Sequence, residues 1–487
     1  MKIKQVLAVL TILFAALFTL ISRADDITAI SSGSWGDTNI WSSGTVPGPN
    51  DDADIPFGFN VTVNTNATVQ FIYDYGTVTM AANSTLNVLF DQAISPNTTL
   101  DATASGNTVV YLANPFFARQ CDYYNLMFVQ TNYVDPHPPF SPWQFFNNFS
   151  SAQGSTPMTI VGDMTLMGAV EVQQGTDTII DGTNAFADIS IGGNLIIGSG
   201  CAWDCSGANL TVVSNVYVYG LLEDLNGALG TNYVGGNVIV AGPSTSIPLF
   251  PGFSYTNGWY VSDVTTWGVG GGLTNNGSIF GRGFGSISFD GTGTIAGTNV
   301  LKIPTLTVNG TYAIGTAITL ITNTPTLNGT LVFDIANPKQ ITLLTNAGTA
   351  LYYNGNLNVI NSGSPPASGT TYTLFNSTNS YAGAFASTSY PSLPAGLTWD
   401  DSLLLTNGSI TVIGGSIGSP KLTQSRSGGV LTLSWDSATF PGYSVQGQTN
   451  SAGLHSNWGP TGSGTTSPFT IAINPANPPV FFRLSKP

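Results

Sequence analysis

A short phrase keeps returning along this chain: Gly or Ser, then Asn or Asp, then apolar and polar residues in alternation. It reads Gly162-Asp163-Met164-Thr165-Leu166, Gly193-Asn194-Leu195-Ile196-Ile197, Ser214-Asn215-Val216-Tyr217-Val218 and Gly236-Asn237-Val238-Ile239-Val240, with starts 31, 21 and 22 residues apart. Further on it becomes Asn-Gly before a strand, at Asn276-Gly277, Asn309-Gly310, Asn328-Gly329, Asn354-Gly355 and Asn407-Gly408. A turn plus a strand repeated at this interval predicts a stacked β-solenoid, in which each repeat buries its apolar face only against its neighbours. The composition agrees, since 57 glycines and many Ser, Thr and Asn suit turns and solvated strand faces, whereas helices need runs of Ala, Leu, Glu and Lys.

The first 24 residues read as a secretory signal peptide: Lys2 and Lys4, an apolar run from Val6 to Ile21, and a small-residue site ending at Ala24. The run is shorter than the roughly 20 residues of a spanning helix. After cleavage no transmembrane segment is expected, and the chain is expected to be secreted or held at the cell surface. Without Lys2, Lys4 and Arg23 it carries 8 basic and 25 acidic residues, a net charge of −17. Nucleic acid is thereby excluded as a partner, because binding it takes a basic footprint.

The N-terminal segment places Trp35 and Trp41 ahead of Val46-Pro47 and an acidic cluster, Asp51, Asp52 and Asp54. Two Trp side chains on a Pro/Gly-rich loop can cover the open edge and core of a solenoid end. The cluster has the donors of a calcium site, but such Asp residues more often stabilise turns through the backbone. No other cofactor is expected. Residues 421–487 hold alternating strands around Val430–Trp435, Tyr443–Gln448 and Phe469–Ile473.

On these features the chain resembles exported bacterial β-helix proteins with autotransporter-associated β-strand repeats. The N-terminal Trp segment resembles the module that opens such proteins. Gly369–Phe375, Tyr381–Phe385, Leu393–Asp400 and Leu405–Ile410 resemble their terminal repeats. Trp435, Trp458 and Val480–Leu484 resemble a small C-terminal module of large exported proteins. The resemblance implies surface attachment or sorting for that module and transfers no catalytic residue.

The expected organisation is therefore all-β. A signal peptide covers 1–24, an N-terminal cap module 25–60, and a right-handed parallel β-helix 61–413; a linker at 414–420 leads to a β-sandwich at 421–487. Handedness rests on the general preference for right-handed crossovers. Excursions are expected at 115–151 and 248–267, where aromatic residues collect. Insertions in a solenoid gather as loops on one face, often the binding face.

Exposed rings stack on sugars, which makes Tyr123, Tyr124, Trp143, Trp259, Tyr260 and Trp267 the ligand-binding candidates. The competing expectation is that these rings fold back and give the loops a core of their own. Arg119, Asp122, Asp135 and Asp263 are the catalytic candidates in the same segments. Asp177, Asp181, Asp188 and Asp204 lie on successive repeats but beside turn residues, where solvated turn roles are favoured. His137 and His455 are the only histidines, which leaves little for a nucleophilic triad. Cys201 and Cys205 can pair only if the segment between them bends. The leading functional expectation is a noncatalytic adhesive or structural protein that contacts extracellular polysaccharide or cell-surface glycan. The alternatives are a polysaccharide lyase or glycoside hydrolase on the same scaffold, and a bare spacer.

Overall fold

A computed structural model describes residues 25–487 apart from 74, 90–93, 95–97, 113–120, 130–157, 168–170, 174–187, 206–208, 224–230, 243–246, 251–252, 256–257, 262–264, 282–283, 323, 345–349, 378–379, 415–418, 450–456, 477 and 487. The expected signal peptide lies outside the described residues.

The stack is a parallel β-helix with three sheets, here called A (14 strands), B (8 strands) and C (9 strands). One turn runs Ile189–Ile191 in sheet B, Leu195–Ile197 in sheet A and Ala202–Asp204 in sheet C. The next runs Leu210–Val212, Val216–Val218 and Leu221–Glu223. Register stays in step on every face, with Ile189 beside Leu210, Leu195 beside Val216 and Ala202 beside Leu221. Strict alternation decides the facing. Ile189, Ile191, Leu195 and Ile197 are buried while Ser190 and Ile196 look outward. Short three-residue strands suffice because each is hydrogen-bonded to neighbours above and below.

At the N-terminal end, Asp25–Thr28, Asp51–Asp54 and Phe71–Tyr73 form one small sheet. Gly33–Ser34, Asn60–Val63, Thr77–Met80 and Thr99–Asp101 form another, which continues through single bridges Ala102–Tyr123–Ile160 into sheet B. Trp35 and Trp41 are buried there, packed edge to face at 5.2 Å, with the Trp41 indole N–H donating to the Trp35 carbonyl at 2.9 Å. The parallel order of sheet A runs to Ser387–Ser389. Beyond it the repeat pattern breaks, because Leu397–Asp400 pairs antiparallel with Ser409–Gly414.

The chain divides into two compact units, one comprising Met1–Gly363, Thr373–Tyr390 and Ser402–Ser409, the other Ser364–Tyr372, Pro391–Asp401 and Ile410–Pro487. Within the second, Thr423–Ser427, Val430–Ser434 and Phe469–Ala472 make one antiparallel sheet. Gly459–Pro460, Ser444–Gln448 and Phe481–Ser485 make the other. Leu433, Trp435 and Val445 form the core between them, with Leu422, Leu431, Phe469, Phe482 and Leu484 packed around it. This is a β-sandwich.

Candidate functional site

The recurring phrase sits at the corner between sheets B and A, and its polar residue forms a ladder. Asn125 Oδ1 accepts the Asp163 amide at 2.9 Å. Asp163 Oδ1 accepts both the amide and the Nδ2 of Asn194, at 2.7 and 3.1 Å. Asn194 Oδ1 serves Asn215 in the same way, at 3.2 and 3.1 Å, and Asn215 Oδ1 serves Asn237, at 2.8 and 3.0 Å. Asn237 Oδ1 ends the run on the Gly272 amide at 2.7 Å. A corner must leave strand pairing, and each side chain satisfies the backbone amide that the turn frees. Asn309, Asn328 and Asn354 form a shorter side-chain ladder that starts on Asp290. The phrase is therefore structural.

The aromatic candidates divide differently from expectation. Trp259 and Trp267 are fully buried and pack edge to face at 5.1 Å, so neither can stack on an external sugar. The reason is register. Trp259 falls in the inward row of sheet C between Leu222 and Ile279, and Trp267 in the inward row of sheet B between Asn232 and Ile287. Within the expected excursion at 248–267, Gly258–Val261 is a strand of the stack and Thr266–Val269 begins another, and an antiparallel hairpin of Ile247–Phe250 and Phe253–Tyr255 precedes them. Tyr123 is also fully buried, its hydroxyl 3.2 Å from that of Tyr111, and burial pushes its phenol well above the usual range. Tyr124 and Tyr260 are half-buried, the latter 6.0 Å from Phe280. Trp143, Arg119, Asp135, Asp263, Asp177, Asp181, His137 and His455 lie outside the described residues.

The acidic candidates serve the backbone or stand apart. Asp122 Oδ1 accepts the Thr159 amide at 2.9 Å, and Asp188 Oδ1 accepts the amide and Nδ2 of Asn209 at 2.9 and 3.1 Å. Asp204 stands in a strand of sheet C, whereas Asp188 immediately precedes a strand of sheet B. Of the N-terminal cluster, Asp51 Oδ2 accepts the Gly48 amide at 2.8 Å and Asp54 Oδ2 the Thr28 hydroxyl at 3.1 Å. Asp52 lies beside Asp26, and its carboxyl is raised by burial and by the charges of Asp26 and Asp51. Among the described residues no three His, Cys, Asp or Glu side chains are grouped to hold a metal ion. Cys201 and Cys205 are unbridged, held apart by the extended strand Ala202–Asp204.

What the structure does present is the outer face of sheet B. An open groove of about 430 Å³ is lined by Thr159, Asp188, Ile189, Ser190, Asn209, Thr211 and Thr231. Tyr233 stands next to Thr211 on the following strand, 42% exposed. Its ring lies along the sheet over the glycines of the next turn: a Cβ on Gly268 would fall 2.8 Å from Tyr233 Cδ2, and one on Gly270 2.8 Å from its hydroxyl. Two missing side chains thus leave room for the Tyr233 ring, 42% exposed, to extend over the next strand. The register continues outward from Gly268 to Ser288 and Thr307. The result is one exposed ring among hydroxyls, carboxamides and the carboxylates of Asp188 and Asp290. The alternation Thr231-Asn232-Tyr233-Val234 carries the signal for it, since Tyr233 shares the parity of the exposed Thr231.

No protein-family profile, no curated protein and no solved structure matches this chain, so the parallel stack and the chemistry of its faces stand on their own.

Proposed function

We propose that this chain is a noncatalytic protein of the cell exterior that contacts neutral polysaccharide through the outer face of sheet B. The observation that carries the reading is Tyr233, an exposed ring extending over Gly268 and Gly270 beside an open groove lined with Ser, Thr, Asn and Asp side chains. A flat ring covers the apolar face of a pyranose, and neighbouring hydroxyls and carboxamides bond its rim. The noncatalytic part is supported by the engagement of Asp122 and Asp188 with backbone amides. Export is supported by the signal-like first 24 residues.

Co-sedimentation of the full chain with a panel of insoluble neutral glycans tests this. Wild type is expected to sediment with at least one, and Tyr233→Ala to lose most of that binding while melting at the same temperature. Equal binding by the variant overturns the site, and turnover of the glycan overturns the noncatalytic reading.

A further inference from the structure

The C-terminal sandwich differs in charge from the rest of the chain. Residues 421–487 hold Lys421, Arg426, Arg483 and Lys486 against Asp436 alone, while 25–420 hold 4 basic and 24 acidic residues. A polyanion is repelled by the acidic body and is tolerated, on charge, only by this module.

One of those cations is held in place. Arg483 in strand Phe481–Ser485 lies directly across from Gln446 in Ser444–Gln448. Its Nε and Nη2 both donate to Gln446 Oε1, at 3.0 and 2.8 Å. The guanidinium carbon stands 4.4 Å from the centre of the Trp458 ring. Trp458 is presented by Asn457, whose φ of 67° is in the left-handed region that Asn tolerates better than most residues. Gln448 projects from the same side of its strand as Gln446 and is buried, with no hydrogen-bond partner for either carboxamide atom. Phe481, across from Gln448, is 42% exposed.

The chemistry of this arrangement is directional. Gln446 occupies the Nε side of the guanidinium and the Trp458 ring lies 4.4 Å from its carbon, which orders an otherwise floppy side chain. The edge between Nη1 and Nη2 is left over, and that edge matches the two oxygens of a carboxylate. No acidic side chain pairs with Arg483 among the described residues. We propose that the outer face of the sheet containing Ser444–Gln448 and Phe481–Ser485 is a recognition site for the carboxylate of an acidic, uronate-type polysaccharide. Arg483 takes the carboxylate end-on and Phe481 lies against the sugar. This goes beyond the neutral-glycan reading of sheet B, since it uses another unit and another chemistry.

Polygalacturonate is the probe, with dextran as the uncharged control, added to the full chain at about 0.1 M salt so that repulsion from the acidic body is screened beyond roughly 10 Å. Wild type is expected to retain polygalacturonate and to lose it as salt rises. Arg483→Gln is expected to weaken binding at least fivefold, and Arg483→Lys to recover only part of it, because the charge returns without the two-pronged edge. Arg483 is exposed, so thermal melts of both variants should match wild type. Tyr233→Ala is expected to bind polygalacturonate normally, which separates this site from that on sheet B. The proposal is overturned if Arg483→Gln binds as wild type does, if dextran is retained equally, or if inorganic phosphate displaces the polymer at concentrations where acetate does not.

Discussion

Asp163 accepts two hydrogen bonds from Asn194, a residue 31 positions later, through the amide at 2.7 Å and through Nδ2 at 3.1 Å. The pair converts a repeat in sequence into a contact in space, and Asn194 then offers its own Oδ1 to Asn215. Removing a middle member leaves both neighbours short of partners. Asn194→Ala is expected to cost about 1–3 kcal/mol, and Asn194→Asp more at neutral pH, since a carboxylate beside Asp163 repels it and cannot donate. Urea unfolding monitored by circular dichroism measures both; a loss for Asn194→Ala under about 0.5 kcal/mol, within the scatter of surface substitutions, sinks the ladder as a stabilising element.

Gly193 is required for a different reason at the same corner. A Cβ there would fall 2.3 Å from Asp163 Oδ1 and 2.5 Å from the Gly162 carbonyl. Gly193→Ala should therefore push successive turns apart at a cost of roughly 1–3 kcal/mol, seen as a lower unfolding midpoint. An unchanged midpoint shows that the corner can give way freely.

Trp259 and Trp267 test the buried assignment against the surface one. Trp259→Ala should destabilise by about 3–5 kcal/mol through cavity formation, while Tyr233→Ala should stay within about 0.5 kcal/mol, as surface changes do. If the order is reversed in calorimetry, the inward register of sheet C is wrong.

Tyr73 gives an alkaline signature. Burial first, then the charges of Asp26 and Asp54, a hydrogen bond with Asp26 and the charge of Asp52 push its phenol up to about 12. The folded state therefore prefers the neutral phenol. Its contribution is complete below the unfolded value near 10 and is lost as pH rises towards 12. Phenolate absorbance, taken as the difference between wild type and Tyr73→Phe, should rise near 12, and Asp26→Asn should move that rise downward. A midpoint near 10 in the wild type removes the effect.

Several parts of this picture are legible in the residues alone. The phrase around Asp163, Asn194, Asn215 and Asn237 specifies a turn and an alternating strand at a fixed interval, and those local preferences suffice for a parallel stack. The placing of Trp35 and Trp41 near its beginning, and the alternation of Val430–Ser434, are likewise local. The facing of rings in irregular stretches is not. Trp259 and Trp267 sit among prolines and glycines that suggest a loop, yet their register with Leu222 and Asn232 turns both inward. A shift of one residue in a strand exchanges its faces, and only the neighbouring turns decide that shift. The same holds for the sites. Composition supplies Tyr233, Gly268, Arg483 and Gln446, but a ring over a glycine from the next turn, and a guanidinium aligned by a glutamine 37 residues away, arise only once the strands are hydrogen-bonded in register.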